Sequence, residues 1–208
     1  MKTVKFHKQD ITSVIEYLKN GKVVAFPTDT VYGLGVIYDN EKALENLKKA
    51  KGRPEYKPIP TMVSSIEQMR QIGALNEIGE RLANAFMPGA FTIVLPKHKH
   101  ISSYVTNGLD SVGIRMPDDA FLKEVIEGCG KPLLVSSANL SGYPCGKDAD
   151  EVLAQLDGRI DAIVVGEAKG GCASTIVDLT KESLQVLREG PITLNMIEEV
   201  LYGKEDEK

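Results

Sequence analysis

The sequence contains no apolar run approaching the ~20 residues that a bilayer-spanning helix requires. Its opening stretch, MKTVKFHKQD, also lacks the hydrophobic centre of a signal peptide. No membrane association and a cytoplasmic location are expected. Cysteine is scarce: Cys129, Cys145 and Cys172 are odd in number and far apart, which suits neither a disulfide framework nor a zinc site and points to reduced thiols. His7, His98 and His100 show no metal-ligand spacing, so the KHKH run at 97–100 reads as a solvated loop and no metal site is expected. Positive charge is not in surplus, with 25 Lys and Arg against 29 Asp and Glu. The net charge of −4 excludes a protein that coats nucleic acid over its whole surface, because that mode needs many uncompensated cations. It leaves room for a local basic patch.

Several catalytic signatures are missing as well. GLGVIY at 33–38 lacks the third glycine of a dinucleotide fingerprint, and G-x-x-x-x-G-K-[ST], G-x-S-x-G and S-x-x-K do not occur. With no histidine evidently paired to Ser136 or Ser137, covalent serine catalysis is disfavoured.

What is present is enough for one core: 208 residues, 42% of them hydrophobic. A single domain over 1–203 and a charged tail over 204–208 are expected. Ile11, Val14, Ile15 and Leu18 repeat at helical spacing after Asp10, a good N-cap residue, and Gly21 follows as a stop. This helix feeds a strand over 22–26. A short strand over 36–38 precedes Asn40, which can cap a helix whose apolar face is Ala43, Leu44, Leu47 and Ala50. Further strands are expected over 59–63, 91–95, 112–115, 132–136, 162–165, 174–179 and 184–188. Helices are expected over 66–72, 76–86, 120–127, 149–156 and 193–201. Such interleaving predicts an α/β domain with a mixed parallel and antiparallel sheet and flanking helices.

Polar clusters fall at the ends of these strands, where an open α/β sheet builds its crevice. Each alone reads as a turn or a cap. The window 48–57 carries Lys48, Lys49, Lys51, Arg53 and Lys57 against Glu55 alone. Two readings stay open on spacing. In one, the window is a solvated helix end, and Arg115 and Arg188 make salt bridges. In the other, these cations join Thr28, Thr30, Ser137 and Asn139 around a polyphosphate, whose transfer chemistry needs charge neutralisation more than a protein nucleophile.

FPTDTVYGLG, KGRPEYKP, PGAFT, VGIRMP, SSANLSG and STIVDLT, in this order and followed by LREG, resemble the YrdC-like family of threonylcarbamoyl-AMP synthases. The likeness runs from about residue 23 to about residue 190, nearly the whole chain. It implies a twisted sheet with a concave basic crevice. It also implies an enzyme that makes threonylcarbamoyl-AMP and pyrophosphate from L-threonine, bicarbonate and ATP, with Mg²⁺ carried by the nucleotide. The adenylate would pass to a downstream tRNA threonylcarbamoyl-transferase complex, for the modified adenosine beside the anticodon. Ending soon after Tyr202, the chain is similar to the short form of the family. Alternatives within the same fold are a double-stranded RNA-binding or ribosome-maturation factor, and another carbamoyl-transfer enzyme.

The same resemblance assigns site residues. Lys51 and Arg53 match the family's K-x-R pair and would stabilise charge in catalysis. Ser137 and Asn139 match its S-x-N pair, and with Arg53, Lys57, Ser111, Cys145 and Arg188 they would hold ATP. Thr30, Met62, Arg115, Val135 and Ser174 would hold L-threonine, with Arg115 forking onto the substrate carboxylate and Thr28 and Tyr32 shaping the wall. Cys145 stands where many relatives have serine, Met62 where some have a polar group, and Ala90 in PGAFT where proline is common.

Overall fold

Helix starts in this chain are set by short polar side chains. Asn40, Ser65, Asn76, Asp119, Asp148 and Thr193 each accept a hydrogen bond from a backbone N–H in the first turn that follows, satisfying donors that the helix itself leaves open. The computed structural model describes residues 2–54, 56–181 and 183–203. Glu55 and the tail 204–208 lie outside the described residues. In chain order the elements are β1 (Val4–Phe6), α1 (Ile11–Lys19), β2 (Val24–Phe26), β3 (Gly33–Ile37), α2 (Glu41–Lys51), β4 (Thr61–Met62), α3 (Ile66–Arg70), α4 (Glu77–Phe86), β5 (Phe91–Pro96), β6 (Ser111–Arg115), α5 (Ala120–Cys129), β7 (Leu133–Ser137), α6 (Ala149–Leu156), β8 (Ala162–Val164), β9 (Thr175–Asp178), β10 (Gln185–Arg188) and α7 (Leu194–Tyr202). No helix among the described residues is long and apolar enough to cross a membrane.

The strands form one sheet in the order β1-β8-β2-β3-β7-β4-β6-β5-β9-β10. It is mixed: β1 and β2 flank β8 in parallel, β4 runs parallel to β6 and β5 to β9, while the remaining neighbours are antiparallel. The expected α/β class holds. Two local expectations do not, and β1 is a strand outside them. β1 carries too few residues for any periodicity to show, and it forms by pairing with β8, far away in sequence. β3 begins at Gly33, earlier than its apolar residues suggest, because Gly33 and Gly35 leave space for the Phe26 ring and Val135: a Cβ at Gly35 would lie 2.6 Å from Phe26 Cζ. Asp10 precedes α1 but makes no cap to it; its carboxylate accepts from the His7 N–H at 2.8 Å.

Alternation along the strands gives the sheet two faces. One is buried in the larger core with α2, α4, α6 and α7. On the other, α1 and α5 cover β2, β3, β7 and β8 through Val14, Leu18, Leu122, Val125 and Ile126. That second cluster holds no residue of β5, β6 or β9. The face left uncovered there is the floor of a cleft.

Thr61, in the middle of the sheet, is fully buried, and its hydroxyl has no hydrogen-bond partner. An unpaired buried hydroxyl costs about 1–3 kcal/mol. Thr61→Val is therefore expected to stabilise the fold by about 1 kcal/mol, read as a midpoint shift in thermal or urea unfolding. A destabilised variant would mean that the hydroxyl does have a partner.

Candidate active site

The cleft is a cavity of about 510 Å³. Strand alternation supplies its floor: Thr92 and Val94 from β5, Ser111, Gly113 and Arg115 from β6, and Ile176 and Asp178 from β9. Register aligns them, with Val94 opposite both Asp178 and Gly113 and Thr92 opposite Ile176. Thr28, Thr30, Met62, Val135, Arg53, Ser137, Cys145, Ser174 and Arg188 complete the lining.

At one pole lies Arg115, 5% exposed. Its guanidinium donates to Asp29 Oδ1 at 2.6 Å, to Thr30 Oγ1 at 2.7 Å and to Gly89 O at 3.0 Å. Thr30 Oγ1 is in turn 3.0 Å from Thr28 Oγ1, which donates to Val31 O at 2.7 Å. Burial pulls the Arg115 proton affinity below its usual value, with Arg188 adding to this and Asp29 opposing it. Two further fixed cations face the cavity. Arg188 donates to Ser174 O at 2.9 Å and Ser174 Oγ at 3.2 Å, and Ser174 Oγ lies 2.8 Å from Thr92 Oγ1. Arg53 donates to Lys57 O at 3.2 Å and Pro58 O at 2.7 Å, with Ser136 Oγ at 3.4 Å. Partial burial lowers both of these guanidinium pKa values too, yet arginine stays charged at any working pH. The cleft therefore combines fixed positive charge with hydroxyls and an apolar side wall.

A family model covering Sua5, YciO and YrdC, described as telomere recombination, matches residues 16–190. The chain belongs to this family. It is 39% identical over 187 residues to a threonylcarbamoyl-AMP synthase of Pyrococcus abyssi (strain GE5 / Orsay), covering 89% of this chain and 55% of the relative. It is 40% identical over 194 residues to a threonylcarbamoyl-AMP synthase of Bacillus subtilis (strain 168), covering 92% of this chain and 56% of the relative. The chain thus spans about half the length of the curated relatives it matches. Among solved structures, P. abyssi Sua5 complexed with L-threonine superposes with a TM-score of 0.91 at 35% identity, over 98% of this chain and 62% of that one. E. coli YciO shares the fold, with a TM-score of 0.83 at 24% identity over 91% of this chain and 96% of that one.

Of the residues assigned from the sequence, Arg53, Ser111, Ser137, Cys145, Arg188, Thr30, Met62, Arg115, Val135 and Ser174 line this one cavity. Lys51, Lys57 and Asn139 do not line it. Lys51 is on the inward side of α2 and 2% exposed, so the basic window is neither wholly a solvated helix end nor wholly a ligand surface. Lys48 and Lys49 face a separate groove of about 710 Å³ beside Tyr104 and Asn107, and Arg53 borders both spaces. The Lys57 ammonium sits 6.0 Å over the Tyr56 ring. Asn139 is turned inward, its amide nitrogen donating to Leu140 O at 2.9 Å and Tyr143 O at 2.7 Å. Tyr32 does not shape the wall either; it is fully buried in the larger core and its hydroxyl donates to the Val164 carbonyl.

Sequence reasoning also left residues out. Asp29, one residue of the FPTDTVYGLG motif, is the partner of Arg115. Gly113 and Asp178 face the cleft by strand alternation from Arg115 and Ser174, a signal the sequence did hold, whereas Thr92 on β5 comes to the cleft by pairing opposite Ile176. The KHKH loop makes local contacts, with His98 Nε2 donating to Arg70 O at 2.9 Å and His100 Nε2 to Gln71 O at 3.1 Å. Among the described residues no cluster of three or more metal-binding side chains occurs.

Proposed function

We propose that this chain is an L-threonylcarbamoyladenylate synthase, making threonylcarbamoyl-AMP and pyrophosphate from L-threonine, bicarbonate and ATP for transfer to tRNA by a downstream complex. The observation that carries the reading is one cavity holding a hydroxyl-lined, Arg115-centred pole beside Arg53, Ser137 and Arg188, in a chain of this family. Its volume is in the range of small-molecule sites. L-threonine lies against Thr30, Met62, Arg115, Val135 and Ser174, and ATP along Arg53, Ser111, Ser137, Cys145 and Arg188. Arg115 spends three of its N–H donors on Asp29, Thr30 and Gly89, and a guanidinium has five. One hydrogen on each terminal nitrogen remains for the substrate carboxylate.

The amine of threonine adds to carbon dioxide with loss of a proton, or condenses with bicarbonate with loss of water, to give a carbamate. A carbamate oxygen then bonds to the ATP α-phosphorus as the bond from that phosphorus to the β-bridging oxygen breaks, and pyrophosphate leaves. Arg53 and Arg188 stabilise the developing charge without a covalent enzyme intermediate. Asp178 is the carboxylate lining the cavity among the described residues, its Oδ1 held by Thr180 N–H at 2.8 Å and Thr180 Oγ–H at 2.6 Å. A single carboxylate fits a Mg²⁺ ion that takes its other ligands from phosphate and water, and such an ion would add charge neutralisation at the triphosphate.

Labelled bicarbonate with ATP and each amino acid in turn tests this, scored for a labile adenylate and released pyrophosphate. Product with threonine is expected. Binding of double-stranded RNA that falls steeply with salt and ignores threonine, with no adenylate formed, would favour the RNA-binding alternative. Arg53→Ala is expected to lower turnover on the order of a hundredfold. Because Arg53 also ties down the Lys57 and Pro58 carbonyls, it should lower stability by about 1 kcal/mol. Normal turnover in that variant would remove Arg53 from the site.

A further inference from the structure

Lys51 stands within a run of surface cations, yet it is 2% exposed. Its ammonium donates to the Ser137 carbonyl, to Asn139 O at 2.8 Å and to Asn139 Oδ1 at 3.3 Å. The Ser141 N–H in turn donates to the Lys51 carbonyl at 2.9 Å. All these partners belong to one segment, which leaves β7 at Ser137 and reaches Cys145, both of which line the cleft. Asn139 carries the fixation forward: its Oδ1 accepts from Ser137 Oγ at 2.5 Å, and Cys145 Sγ lies 3.8 Å from the same oxygen.

We propose that Lys51 is a positioning residue, holding the 137–145 wall of the cleft from behind so that Ser137 faces the nucleotide, and that it does not itself touch the phosphates. The proposal deepens the reading of the cleft as a nucleotide site and rests on it. An ammonium presents three donors, and here three oxygens take them. A guanidinium is planar and cannot meet the same three oxygens in the same way. An apolar side chain takes the ammonium donor from all three: Ser137 O keeps the Asn139 N–H at 3.1 Å and Asn139 Oδ1 keeps Ser137 Oγ at 2.5 Å, but nothing then ties the segment to α2 through this side chain.

The charge state of the clamp follows from its surroundings. Burial, then the neighbouring Arg53 charge, lowers the Lys51 pKa from 10.5 to about 8, with Cys145 acting in the opposite sense. Because the folded value lies below the unfolded one, the buried ammonium costs stability below about 8, and that cost is relieved as pH rises from there toward 10.5. Over the same window the wall loses its charge-assisted hold. Fold stability and the grip on the wall therefore change in opposite directions with pH.

The test follows hydrogen exchange of the 137–145 amides, corrected for intrinsic exchange, beside calorimetric affinities for ATP and threonine. It compares the wild type with Lys51→Met and Lys51→Arg. In Lys51→Met, exchange in this segment should rise and ATP affinity fall by about tenfold or more, with threonine affinity much less affected and Lys51→Arg recovering part of the loss. A Lys51→Met chain that loses ATP binding while this segment keeps its protection would overturn the proposal, because the lysine would then touch the nucleotide directly. So would one in which neither quantity changes. Should Lys51→Met not fold, Lys51→Arg decides: faster exchange over 137–145 together with weaker ATP binding supports the clamp, and weaker ATP binding with this segment fully protected overturns it. If the wild type binds no ATP, the nucleotide reading falls, and the exchange data still report on the clamp.

Discussion

Arg115→Ala is expected to destabilise the fold by about 3–5 kcal/mol, because removing one partner of a buried ion pair leaves the other charged and uncompensated. Asp29 and Arg115 are both nearly buried, with side chains 10% and 7% exposed, and sit 2.6 Å apart. The other oxygen of Asp29 accepts the Asp118 N–H at 3.2 Å, so the pair ties the loop after β2 to the loop after β6. Asp29→Ala should cost less, since a guanidinium keeps its bonds to Thr30 and Gly89. The double variant should cost less than the sum of the two, by about 1–3 kcal/mol. Urea denaturation of the three proteins measures this cycle; additive losses of under about 1 kcal/mol each would show that the pair is a solvated surface contact. It follows that loss of activity in Arg115→Ala cannot be assigned to substrate binding until stability has been measured beside it.

The helices and most strands were legible in the sequence because each is a local pattern. Asn40 and its face of Ala43, Leu44, Leu47 and Ala50 emerge as α2 with the cap and the buried residues in place. β1 was not legible, since three residues carry no period and its partner β8 lies across the whole chain. The candidate site was legible as a set of residue types, but not as directions. Lys51 and Arg53 are two positions apart at the end of one helix, and the end of that helix turns one inward and the other to the cleft. Thr30 and Tyr32 part in the same way, one to the cavity and one to the core. Sequence alone ranks such residues by chemistry; which way each points is decided by the tertiary packing of the strands and loops that carry them.

Gly113→Val is expected to abolish substrate binding while leaving the fold as stable as before or slightly more so. Both halves of that result follow from the space beside Gly113. A Cβ at Gly113 would meet only Thr92 Cγ2 at 3.7 Å and Val94 Cγ2 at 3.9 Å, ordinary contacts, with the rest of the volume above it open. Glycine inside a strand is itself unfavourable by about 0.5–1 kcal/mol, and valine suits a pleated surface. The substitution therefore needs no rearrangement. Its methyl groups would rise from the cleft floor between Ser111 and Arg115, which flank it on the same face of β6, and so between the groups proposed for ATP and threonine. A reacting geometry disturbed by about 1 Å can lose about a hundredfold in rate, and a filled floor displaces more than that. Gly33 and Gly35 provide the contrast: there a Cβ would lie 2.9 Å from Val135 or 2.6 Å from Phe26, so Gly35→Ala should lose stability by about 1–3 kcal/mol through overpacking. Thermal unfolding with and without ATP and threonine reads both effects, since ligand that binds the native state raises the midpoint by an amount that grows with the logarithm of its concentration relative to Kd. Gly113→Val should show an unchanged or higher midpoint without ligand and no rise with it. A variant that unfolds would mean that the floor is packed rather than open, and one that turns over normally would mean that the substrates lie elsewhere than on β6.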